Sequence, residues 1–179
     1  MNDNNDKSKQ SIKKILLKTN FLALTRISLG WIFLWAFLDK TFGLGYTTSA
    51  EASWLNNGNP IYGYLTFATS GPFADSFQQI AESTFFQWLF MLALLGIGLS
   101  LTLAIGLKIT AYAGTFLLTM MYISALPFYA EGSHNPFVDD HVVYAFLILY
   151  IAFTTEDHVF SFHNKWSEMG FVKKYPILK

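Results

Sequence analysis

From Ser83 to Leu107 the chain carries no charged side chain, and beyond the single Lys108 it carries none again from Ile109 to Ala130. The hydrocarbon core of a bilayer is about 30 Å thick and is crossed by roughly 20 apolar helical residues. Each run is long enough for that crossing. The link between them, Gly106-Leu107-Lys108, is a tight turn and no domain boundary. A hairpin of two membrane helices is the expected structure. Composition agrees, with 53% hydrophobic and only 13% charged residues in 179, against about a quarter charged in ordinary soluble domains. A water-soluble core of this size would struggle to hide 18 Phe, 9 Tyr and 5 Trp.

Two further segments reach membrane length if their charges sit at the interfaces. The first, about 21-45, holds Arg26 near its start and Asp39-Lys40 near its end. The second, about 136-155, opens NPFVDDHVVYAF, with Asp139, Asp140 and His141 in its first turns and Pro136 suited to the first helical position. The expected fold class is therefore an all-α membrane protein, a four-transmembrane-helix bundle. Its spans are 21-45, 83-106, 109-130 and 136-155, with an outer loop at 46-82 containing short interfacial helices. A basic segment 1-20 precedes this membrane domain of 21-155, and an amphipathic tail 156-179 follows it. Arg26 inside the first apolar stretch, and the lack of a small-residue cleavage site, favour a retained helix over a signal peptide.

Charge placement orients the bundle. Lys7, Lys9, Lys13, Lys14, Lys18 and Arg26, the turn Lys108, and the tail Lys165, Lys173, Lys174 and Lys179 fall on one side, with Lys40 alone on the other. The positive-inside rule then puts both termini in the cytoplasm of a multi-pass protein of the cell membrane. The outer loops carry Glu51, Asp75, Glu82 and Glu131. Within the long loop, Thr48-x-x-Glu51 has the spacing of a capping box for a short helix through Trp54. IYGYLTF and FADSFQQI, punctuated by Asn59-Pro60 and Gly71-Pro72, read either as a lid or as segments flat on the headgroups. In the second span Gly96, Ser100 and Ala104 recur every four residues, a small-residue face for close helix approach.

The absence of cysteine removes disulfides, thiol nucleophiles, iron–sulfur ligation and Cys-rich zinc sites. No two His residues face each other at mid-membrane, and His134, His158 and His163 read as surface groups, so no metal site or bound redox centre is expected. The basic residues form no patterned face, which speaks against nucleic acid. What remains is a convergence. An even number of spans brings Asp39 and Lys40 to the same outer boundary as Asp139, Asp140 and His141. Acidic residues at a helix start stabilise it against the dipole, and a lysine at an interface can simply snorkel. Yet helical geometry cannot aim three consecutive ionisable groups at water, and an ionisable group facing a membrane bundle is a functional candidate. Arg26 reads equally as an interface anchor and as an internal pairing.

At these residues the chain resembles a known family. RISLGWIFLWAFLDKTFGLG, WLNNGNPIYGYL, ATSGPFADSFQ, WLFMLALLGIGLSLTLAIGLKITAYAG and NPFVDDHVVYAFLIL, in that order and spacing, are similar to the DoxX/DoxD membrane family, above all its DoxD-type large subunits of thiosulfate dehydrogenase (quinone). The resemblance implies a membrane subunit that oxidises thiosulfate or another small sulfur compound and reduces membrane quinone as a co-substrate. It implies no covalently bound cofactor and a small DoxA-type partner subunit. Under that reading Asp140 and His141 are the catalytic acid–base pair, and Asp39, Lys40, Asp139 and Arg26 contact the substrate. Trp31, Trp35, Trp54 and Tyr144 offer aromatic faces to the quinone. A homo-oligomer is compatible with the same features. A membrane adaptor that recruits redox or stress proteins, and a small-solute transporter, are the alternative readings of the charge cluster.

Overall fold

The computed structural model describes residues 3–154 and 158–178. Among them every regular element is helical, and the sole extended pairing is an isolated bridge between Ser70 and Ala125. Helix α1 spans Asp3–Phe42. No Gly or Pro interrupts the chain before Gly30, so the basic segment, from Asp3 on, continues the first span as one helix. At 40 residues it is about 60 Å long, twice the thickness of a hydrocarbon core. The loop then carries a 3-10 turn, Trp54–Asn56, and two short helices, α2 (Tyr62–Phe67) and α3 (Ala74–Gln78). Helices α4 (Thr84–Leu103), α5 (Leu107–Ser124) and α6 (Asp140–Phe153) complete the bundle. The tail forms α7 (His163–Glu168), α8 (Gly170–Lys174) and a last 3-10 turn, Pro176–Leu178. Two helical stretches, Lys9–Phe42 and Thr84–Leu103, are long and apolar enough to cross a membrane.

Both later helices are shorter than their apolar runs. The run ending at Ala130 stops being helical at Ser124, because Pro127 cannot continue the backbone ladder and restricts the residue before it. The last helix starts at Asp140, and Pro136 lies ahead of it outside any helical turn. The Asn135 side chain accepts the N–H groups of Phe137 and Val138 at 2.9 and 3.1 Å, a local turn that competes with helix. Asp139 is the N-cap, its Oδ1 accepting the Val142 N–H at 3.2 Å. The expected Thr48–Glu51 capping box is also absent: the next helical turn begins at Trp54, after Ser53. Instead the Glu51 carboxylate takes the Ser49 hydroxyl and its own N–H, which hold it below the usual carboxylate range.

Helix α1 packs along α4 and α5 along α6, and the α4–α5 hairpin joins the two pairs. Leu29, Phe33, Met91, Leu94, Ile97, Leu101, Leu118, Ile148 and Ile151 form the buried core between them. The closest approach of α1 to α4 runs through Gly30 and Gly98. A Cβ on Gly98 would lie 2.7 Å from Leu34 Cγ and 2.9 Å from the Leu34 backbone nitrogen. One on Gly30 would lie 2.9 Å from the Thr102 backbone nitrogen. The small face expected at Gly96, Ser100 and Ala104 is thus displaced: Gly96 opens onto empty space. Ser100 and Ala104 serve the hairpin, where Ser100 Oγ donates to the Ile105 carbonyl and pairs with Thr110 Oγ1. Gly98→Val should lower stability by about 1–3 kcal/mol through overpacking. Gly96→Ala should leave it unchanged or raise it by up to about 1 kcal/mol. Thermal melts in mild detergent check this, and equal losses for the two would contradict the packing.

At the other end of the bundle, Arg26 is fully buried. Its Nη1 donates to the carbonyls of Leu101 and, at 2.7 Å, Thr102; its Nη2 donates to those of Val159 and Phe160 at 3.1 and 3.0 Å. Leu101 and Thr102 belong to the last turn of α4, whose carbonyls have no partner within the helix and carry the negative end of its dipole. Arg26 therefore caps α4 from a neighbouring helix and ties the tail to it, beside the Phe162 N–H bond to the Leu103 carbonyl at 2.8 Å. Of the two readings of this residue, the internal pairing is the one the fold uses.

Candidate functional site

The far end of α1 is held by its own following loop. Asp39, 1% exposed, accepts the N–H groups of Tyr46 and Thr47 at 3.2 and 2.9 Å and the Thr47 hydroxyl at 2.7 Å. The reversal this requires passes through Gly43, whose φ of +65° and approach to Ser49 O, 2.5 Å from any Cβ, admit glycine alone. Asp39 is thereby consumed as an anchor. Its neighbour Lys40 points to a different face of α1, into a cavity.

The loop closes over that cavity by specific bonds. Asn59 Oδ1 accepts from the N–H groups of Ile61 and Tyr62 at 3.1 and 3.0 Å, starting α2, while its Nδ2 donates to the Ala81 carbonyl at 2.8 Å. The Tyr64 hydroxyl donates to the Met121 carbonyl at 3.1 Å and lies 3.2 Å from Ser124 Oγ. The Ser70 N–H reaches the Ser124 carbonyl at 2.9 Å. Burial pushes the Tyr64 phenol above its ordinary pKa, the negative Asp139 and Asp140 adding to the shift and the Ser124 bond opposing it. It stays a neutral donor at physiological pH. Of the lid and headgroup readings, the first describes this segment, since it is stitched to the end of α5.

At the start of α6 the ionisable groups form an ordered pair. Asp139 Oδ2 lies 2.7 Å from His141 Nδ1, and Asp140 Oδ1 lies 3.7 Å from the same nitrogen. A carboxylate only accepts, so Nδ1 carries the hydrogen and Nε2 is the nitrogen left for exchange. The side chains of His141 and Asp139 are 18% and 22% exposed, and that of Asp140 is 66% exposed. The partner of the imidazole is therefore Asp139, where the sequence pairs it with Asp140. Oxygen and nitrogen atoms of all three lie within 4.8 Å of one another, but both oxygens of Asp139 already accept hydrogen bonds, a poor donor set for a cation and a good one for orienting a base.

Asp140 and His141 share a cavity of about 800 Å³ with Lys40. Its apolar walls are Ile32, Phe33 and Ala36 of α1, Phe90 and Leu94 of α4, and Leu118 and Met121 of α5. Its polar surface comes from Lys40, Asp140, His141 and Tyr144, and from the loop residues Thr47, Thr48, Ser49, Asn59 and Tyr64. The convergence expected for Lys40, Asp140 and His141 is thus present, and Tyr144 joins it. Asp139 stands behind His141. Arg26 lies roughly 20 Å away along α1, and its four carbonyl partners leave it no part in this site. Trp31 is exposed, with its ring 5.8 Å from that of Trp35; Trp35 stands edge-on to Tyr46 at 5.0 Å, and Trp54 to Trp88 at 4.5 Å. None of these three indoles lines the cavity. Tyr64 and Asn59 do, and only the Asn-Pro punctuation of the loop hinted at them.

No protein-family model matches this chain, and no curated protein or solved structure matches it either. The site must be read from its own chemistry. An imidazole oriented by a carboxylate moves protons. A lysine offers positive charge, and a phenol and an amide offer hydrogen bonds, all at one side of an aromatic and aliphatic chamber.

Proposed function

We propose that this chain is the membrane subunit of a quinone-reducing oxidoreductase acting on thiosulfate or another small sulfur compound. The observation that carries the reading is the cavity itself, in which apolar walls from α1, α4 and α5 meet Lys40 and His141, the latter backed by Asp139. A quinone is a flat apolar ring with two carbonyl acceptors, and it needs such walls and such donors. The resemblance to the DoxX/DoxD family points to the same substrate class. In this reading α1, α4, α5 and α6 all cross the membrane with both termini cytoplasmic. The shorter α5 and α6, 18 and 14 residues, are accommodated by local thinning and by their flanking loops.

The balance of the reaction assigns the roles. Two thiosulfate dianions joined as tetrathionate release two electrons, and a quinone taking two electrons and two protons becomes a quinol. His141 delivers protons from Nε2, with Asp139 holding the ring in place through Nδ1. Asp140, largely exposed, connects the imidazole with outer water. Lys40 offsets the charge of the sulfur anion. Electrons pass by a direct sulfur adduct or through a DoxA-type partner subunit. Thiosulfate-dependent reduction of a short-chain quinone by the detergent-purified protein, alone and with such a partner, tests the proposal; no turnover in either preparation would overturn it.

A further inference from the structure

A second concavity lies on the opposite half of the bundle. It is an open groove of about 340 Å³ between α4 and α5, lined by Leu92, Gly96, Leu99 and Ile109 and bounded by Trp166 of α7. Gly96 leaves the groove unfilled, since nothing stands within 4 Å of where its Cβ would be. The hydroxyls at its wall are satisfied internally: Thr110 donates to Ser100, and Ser100 donates to the Ile105 carbonyl. The groove therefore presents no hydrogen-bonding demand and has room for a single flexible apolar chain.

Its charge is confined to one end. Lys108 stands between the lining residues Gly106 and Ile109, and Lys165 directly precedes Trp166. Lys165, Lys173 and Lys174 are exposed nearby, and from His163 to Lys174 they face one acidic residue, Glu168. An apolar channel with cations at one mouth is complementary to an amphiphile with one anionic end. We infer that the groove holds one acyl chain of an anionic phospholipid, its phosphate held by Lys108 and Lys165. The inference rests on the proposed immersion of these helices in a bilayer, with this end at the cytoplasmic leaflet, and is independent of the quinone chemistry.

Native mass spectrometry of the full chain in detergent, titrated with phosphatidylglycerol or phosphatidylcholine, tests it. Wild type should bind phosphatidylglycerol at least about tenfold more tightly, since each lysine contributes about fivefold at an anionic surface. Lys108→Ala with Lys165→Ala should abolish that preference. Gly96→Leu, whose side chain enters open space, should weaken both lipids without lowering the melting temperature. Equal binding of the two lipids by wild type, or undiminished binding by Gly96→Leu, would overturn the inference. So would loss of a dimer in Gly96→Leu with lipid binding intact, which assigns the groove to a second copy. Carbonate extraction separates the two failures: release from membranes removes the bilayer reading, whereas retention without lipid preference removes only the groove's ligand.

Discussion

Replacing His141 with Gln is expected to lower quinone reduction about 100-fold or more, with the protein still folded and membrane-inserted. General acid–base groups contribute about 10²- to 10⁴-fold, and glutamine keeps a hydrogen-bonding side chain while losing the exchangeable proton. The helix start does not depend on His141, because its cap is the Asp139 bond to the Val142 N–H. Asp139→Asn separates capping from orientation. Asparagine caps about as well as aspartate, so stability should hold, yet the imidazole loses the carboxylate 2.7 Å from Nδ1. Partners of this kind are worth about 10- to 100-fold where they orient a functional histidine. Asp140→Asn should cost less than tenfold, since Asp140 is exposed and 3.7 Å away. Steady-state rates for the three variants check the order. A larger loss at Asp140 than at Asp139 would reverse the assignment, and wild-type rates for His141→Gln would remove the site.

Arg26→Met should be the most damaging substitution for stability. Methionine matches the length of the buried stem but leaves the carbonyls of Leu101, Thr102, Val159 and Phe160 without their donors. Each unsatisfied buried acceptor costs about 1–3 kcal/mol. Some will find other donors or water, so a total of about 3–5 kcal/mol is expected, a large part of a typical domain's stability. Arg26→Lys should recover less than half of this, because a compact ammonium with three donors cannot span two pairs of carbonyls as the planar guanidinium does. The tail should also loosen: limited proteolysis should cut near Val159 much faster in Arg26→Met. Wild-type melting with a protected tail would show that the cage is not what joins the tail to α4.

The helical architecture was legible in the sequence because charge-free runs of this length have few other solutions. The meeting of Lys40 with Asp140 and His141 was also legible, since the parity of the expected helices sets which ends share a side. The pairing inside that cluster was not. It depends on whether the helix begins at Pro136 or Asp140, and the Asn135 turn decides that through local bonds no periodicity reveals. The packing face of α4 was missed for a related reason. Leu and Ile flank Gly96 and Gly98 alike, so a uniformly apolar helix does not announce which glycine meets its neighbour. Arg26 was ambiguous because its partners are backbone carbonyls, which have no sequence signature. The placement of the aromatic residues was not legible either: Trp31, Trp35 and Trp54 pack against other rings outside the cavity, while Tyr64, a loop residue, lines it.

The proposed function is tested most directly by where a quinone binds. Photolabelling of the protein in isolated membranes with an azido-quinone, followed by peptide mapping, reads this without requiring the electron donor. The label should fall on Phe33–Lys40, Asn59–Tyr64 or Asp140–Tyr144 and be displaced by unlabelled quinone. Labelling confined to other surfaces, or labelling that unlabelled quinone fails to displace, would contradict the assignment of this cavity.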